Sequence, residues 1–195
     1  MSNKKFVRTI VNQKLLPSYF PTHALESGFW EYLGRTVATF GFLEEVLVKA
    51  IFSFTATREY PEDEIEDAYS KWRPKLEKSL SDQLGGLIDT YGKAVRDNSS
   101  STIENLNDLL SDLREASKIR NVLCHGSWRT PDKKGASVPF FVNRKKEVFE
   151  SPIDITFLKK VQNHAVELIC AVINTVVHMG WQFPSTSGSG QAIWR

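Results

Sequence analysis

Between Phe29 and Ile51, the residues Phe29, Leu33, Val37, Phe40, Leu43, Val46, Leu47, Ala50 and Ile51 recur at steps of three and four. That period follows one face of an α-helix, whereas a strand repeats every two residues. It predicts a first helix from Thr22 to about Phe54. A helix with one apolar stripe must bury that stripe against other elements. Gly34 and Gly41 weaken the helix locally but permit close helix contact. Glu44 and Glu45 fall on the less apolar side, with Lys49 four residues after Glu45. This reads as a solvated face with one i,i+4 ion pair, in preference to carboxylates that orient a catalytic group.

Three further runs carry the same period. Pro61 opens the second, where Glu62, Asp63, Glu64, Glu66 and Asp67 suit the positive end of a helix. Its stripe is Ile65, Tyr69, Trp72, Leu76, Leu80, Leu84 and Ile88, with a kink or split expected at Pro74 and a soft point at Gly85-Gly86. After the polar loop 97–101, Ser101 or Thr102 is expected to cap a third helix, with Glu104 completing a capping box. Ile103, Leu106, Leu110, Leu113, Ala116, Ile119 and Leu123 mark its buried face, and Gly126 is expected to end it in a left-handed C-cap. Asp154 or Thr156 starts the last helix, which stops at Gly180.

Between the third and last helices, Val138–Val142 and Glu147–Phe149 flank Asn143-Arg144-Lys145-Lys146. This predicts a small β-hairpin with a basic turn. The fold expected is an all-α bundle of four to five helices with that hairpin, about 126–152, inserted before the last helix. Residues 1–21 form a basic arm, 22–183 the helical domain and 184–195 a Ser/Gly-rich flexible tail. The arm is read as solvated, with phosphate attraction as the alternative.

Composition narrows the function classes. With 25 Lys and Arg against 23 Asp and Glu, bulk charge points to no class of partner. Cys124 and Cys170 make no disulfide framework and no Cys-x-x-Cys pair, so a reducing cytoplasmic setting is expected. No metal site or cofactor is expected. No apolar run approaches a membrane span, since even Ala165–Met179 is short and contains Glu167. Cys124, adjacent to His125 and about 100° around the helix from it, is poorly aimed as a nucleophile and reads as buried.

The usable chemistry gathers in Arg120-Asn121-Val122-Leu123-Cys124-His125, at the end of the third helix. Asn121 and His125, four apart, share a helix face, and the long Arg120 side chain can swing toward the same rim. The negative end of the helix favours a protonated imidazole at His125, suited to proton transfer. The Arg120 guanidinium is a planar fork that matches phosphate oxygens. An Arg and a His with no metal set and no activated Ser fit metal-independent RNA cleavage, in which the 2′-OH attacks the adjacent phosphate. The plain alternative is an incidental pair, with His125 favoured by the dipole and Arg120 a surface ion-pair partner.

These six residues resemble the Arg-x4-His motif of the HEPN superfamily (higher eukaryotes and prokaryotes nucleotide-binding domains), and Phe40–Leu47 is similar to first-helix patterns there. The resemblance implies an all-α bundle acting as an endoribonuclease, in toxin, antiphage or RNA-processing roles. It implies a homodimer whose facing motif helices make one composite site. Arg120 and Asn121 would hold the scissile phosphate and His125 would move protons. A cognate antitoxin or regulatory protein is an implied partner. Ser127 stands where members neutralised by a nucleotidyltransferase carry a Tyr, which speaks against that style of control. Some members bind nucleotides or partners without cleaving, which keeps a non-catalytic module as the alternative. The basic segment after His125 lies outside the core motif. Its Trp128, Arg129, Lys133, Lys134, Arg144, Lys145 and Lys146 are candidate RNA contacts, or else the surface of a flap.

Overall fold

The computed structural model describes residues 11–58 and 60–186. The start of the basic arm and most of the C-terminal tail lie outside the described residues. Five α-helices build the domain: α1 (Ser27–Ala56), α2 (Ile65–Ser79), α3 (Leu84–Asp97), α4 (Leu106–His125) and α5 (Ile155–His178). The protein is an all-α helical bundle.

The α1 stripe explains the arrangement. Phe29, Leu33, Phe40, Leu43, Val46, Leu47, Ala50, Ile51 and Phe54 are all buried, and α1 packs against each of the other four helices. It begins at Ser27 and not at Thr22, because residues 18–24 run as turns. The Thr22 carbonyl accepts a 2.9 Å bond from the Trp30 indole, which folds that lead-in back onto the helix.

The second run is two helices, and the division falls elsewhere than Pro74. Pro74 sits inside α2, and the chain breaks after Ser79, before α3 begins at Leu84. Pro74 is exposed, so the hydrogen bond it forfeits costs no buried acceptor. The expected cap on α4 does not form either. Asn98, almost fully buried, donates to the Phe54 carbonyl at 2.9 Å and accepts from the Ser100 N–H at 3.1 Å, and helix starts only at Leu106. Asp154 does cap α5, accepting from the Phe157 N–H at 2.7 Å.

The hairpin is a further correction. No strand forms among the described residues. Instead the insert is tied by three isolated antiparallel bridges, Ser127 with Phe140, Ser137 with Ile153 and Val142 with Val148. Each pairs the chain with a different neighbour, and Pro139 has no N–H to donate, so no ladder propagates.

Gly126 also departs from expectation. Its φ of −69° and ψ of 137° are extended backbone, open to any residue. Space is what requires glycine. A Cβ there would lie 2.6 Å from the Val122 carbonyl oxygen and 2.8 Å from the Pro139 Cβ. The insert therefore closes directly over the end of α4.

Tyr91 joins α3 to α5 through a 2.8 Å bond between its hydroxyl and the Thr175 hydroxyl. Burial pushes its phenol up to about 12, against about 10 in the unfolded chain. Stability from this group is complete below about pH 10 and is lost as pH rises toward 12, on the order of 3 kcal/mol in all. Tyr91→Phe is expected to be less stable near neutral pH by about 1 kcal/mol, yet to lose less on going to alkaline pH. Urea unfolding of both proteins near neutrality and in the alkaline range checks this. Equal alkaline losses would rule out Tyr91 as the cause.

Candidate functional site

The end of α4 rests on α1. Arg120 Nη2 donates to Glu44 Oε1 at 3.1 Å, and Nη1 reaches Asn121 Oδ1 at 3.4 Å. The two charged side chains are 23% and 26% exposed, so the pair is partly desolvated and more firmly held than an ordinary surface ion pair. Glu44 follows the buried Leu43 on α1, which carries its carboxylate to the seam with α4. The guanidinium is thus oriented from two sides, and the rest of its five N–H donors remain for a ligand.

His125 is the last residue of α4. It is exposed, and its ring makes no hydrogen bond or ion pair among the described residues. Helical geometry places it about 40° around from Asn121 and roughly 140° from Arg120. The two are about 7.5 Å apart along the axis. Within one chain the guanidinium and the imidazole therefore diverge. Cys124 is exposed, not buried, because Val122 and Leu123 take the core-facing positions of this turn.

The candidate RNA contacts fall into two groups. Trp128 is half-buried and packs edge-on against Phe29 at 4.9 Å and Trp30 at 6.3 Å between ring centroids. It closes the core edge beside the motif. Arg129 lies over the Phe140 ring at 5.1 Å. Lys133 and Lys134 ride a turn built on Asp132, whose carboxylate accepts from the Lys134 and Ala136 N–H groups. Arg144, Lys145 and Lys146 ride a second turn, where Asn143 Oδ1 accepts from Lys145 at 2.9 Å and Glu147 at 3.0 Å. All six cations are exposed, and none is ion-paired among the described residues.

Two features escaped the sequence reading. Glu44, expected on a solvated face with an orienting carboxylate as the alternative, holds Arg120; the expected Glu45–Lys49 pair beside it forms at 2.7 Å. The second is a groove of about 610 Å³ between α4, α5 and the insert, with Asn121 on its wall. Its aromatic lining comes from Phe141 and Phe149, which flank the basic turn. Among the described residues no three His, Cys, Asp or Glu side chains gather as a metal site would require. No described helix is long and apolar enough to cross a membrane. Comparison of the chain with family models, curated proteins and solved structures finds no match.

Proposed function

We propose that this chain is a metal-independent endoribonuclease of the HEPN type, acting as a cytoplasmic homodimer. The observation that carries the reading is the end of α4. There Arg120 is fixed by Glu44 and Asn121, and His125 on the same last turns stands exposed and unpaired. The 2′-oxygen of RNA attacks the adjacent phosphorus, and the bond to the next nucleotide's 5′-oxygen breaks. Arg120 neutralises charge on the phosphate, and Asn121 aligns it. His125 moves a proton, either from the attacking hydroxyl or to the leaving oxygen. The divergence of Arg120 and His125 on one helix favours a site assembled from two copies. The exposed cations of the two insert turns suit the RNA backbone on either side. A toxin or antiphage role, with a cognate antitoxin or regulatory protein, follows from the resemblance alone.

The test is direct. The purified chain, in EDTA, is expected to cut single-stranded RNA, leave a 2′,3′-cyclic phosphate and spare DNA of the same sequence, which lacks the attacking hydroxyl. RNA left intact by a verified dimer would overturn the reading. The groove beside Asn121 favours one alternative, a module that binds nucleotide without cleaving it.

A further inference from the structure

We propose that the groove between α4, α5 and the insert holds the base of the nucleotide next to the phosphate at Arg120; this rests on the RNA reading above. Its volume of about 610 Å³ lies within the usual range of small-ligand pockets. Its walls are apolar, with Ile119, Val161 and the half-buried rings of Phe141 and Phe149. A nucleotide presents a flat apolar base, then hydroxyls, then an anion. The groove offers the same order of partners: aromatic walls, the Asn121 amide, then a cation.

Asn121 is the link. Its Oδ1 accepts from Arg120, while its Nδ2 has no partner among the described residues and the same side chain lines the groove. One amide therefore borders both the phosphate position and the base position.

The rim carries charge of both signs. Lys118 is paired with Glu115, His164 with Glu167, and Glu147 accepts from the Asn143 amide. Lys160 is exposed and makes no ion pair among the described residues, so it puts a free ammonium at a rim that also carries the Glu147 carboxylate, whose charge the neutral Asn143 amide leaves in place. Both aromatic walls belong to the insert, so the insert acts as the base-holding part of the site and not only as a carrier of lysines.

The experiment titrates the full chain with adenosine 3′-monophosphate, guanosine 3′-monophosphate and inorganic phosphate, following binding calorimetrically. The nucleotides are expected to bind at least tenfold more tightly than phosphate, since base–aromatic stacking contributes about that factor or more. Phe149→Ala should weaken nucleotide binding about tenfold. Lys160→Glu, an exposed change that does not threaten the fold, should weaken it several-fold. RNA cleavage should fall in both variants through KM. Nucleotides that bind no better than phosphate, or equally well in wild type and both variants, would overturn the subsite. Cleavage indifferent to both changes would remove the subsite and leave the nuclease standing. Nucleotide binding that depends on Phe149 and Lys160 in a chain that cuts no RNA would do the reverse.

Discussion

His125→Ala is expected to slow cleavage of single-stranded RNA by about 10²- to 10⁴-fold. Helix content and melting temperature should not change, because the imidazole is exposed and makes no bond that the fold needs. Arg120→Ala should cost about 10²- to 10³-fold by removing charge stabilisation from the phosphate. It also strips Glu44 of its partner, so a small stability loss accompanies it. Mixing the two variants is the sharper measurement. If Arg120 of one chain works with His125 of the other, a mixed dimer keeps one such pair in the composite site and restores part of the activity. Recovery on mixing supports the composite site. Two variants that stay inactive together rule out a working Arg120–His125 pair formed across the dimer from one copy of each, and full activity in each alone ends the mechanism.

Phe29→Ala is expected to destabilise the protein by about 3–5 kcal/mol, the range for truncating a large aromatic in a core. Phe29 is 1% exposed and meets Trp30 at 5.5 Å and Trp128 at 4.9 Å. Urea unfolding followed by tryptophan fluorescence measures the loss, and the native emission should shift because Trp128 loses its support. A change below about 1 kcal/mol would show that the cluster repacks around the gap. Activity measured well below the unfolding midpoint should fall as well, because Trp128 anchors the chain just beyond His125.

Long-period features were legible in the sequence. The α1 stripe from Phe29 to Phe54, the Asp154 cap and the stop at Gly180 all stand where apolar spacing and side-chain chemistry place them. What failed depended on partners distant in sequence. The cap expected at Ser101 lost to Asn98, which binds a carbonyl on α1. The hairpin failed because its segments pair outward, to Ser127 and Ile153, as well as to each other. Gly126 was a correct stop for a different reason, the nearness of Pro139. In the site, Arg120, Asn121 and His125 could be chosen by residue type and spacing. Glu44 could not, because spacing hands Lys49 to Glu45 but nothing local points Glu44 to Arg120. Only the crossing of α1 and α4 makes it a partner of arginine.

The Glu44–Arg120 pair also bears on how binding responds to salt. An exposed lysine that meets a phosphate frees condensed counterions from the nucleic acid, and each such contact steepens the fall of affinity with ionic strength. Arg120 already has a carboxylate beside it, so a phosphate arriving there brings its negative charge close to a fixed one. That position gives up affinity which the insert lysines, unpaired before binding, do not. If the chain is the nuclease proposed above, tight binding would concentrate on the insert turns, and Arg120 would add most as phosphate charge rises during the reaction. On that proposal a ground-state substrate would be held mainly by its flanks, with the guanidinium kept in reserve for the pentacoordinate species.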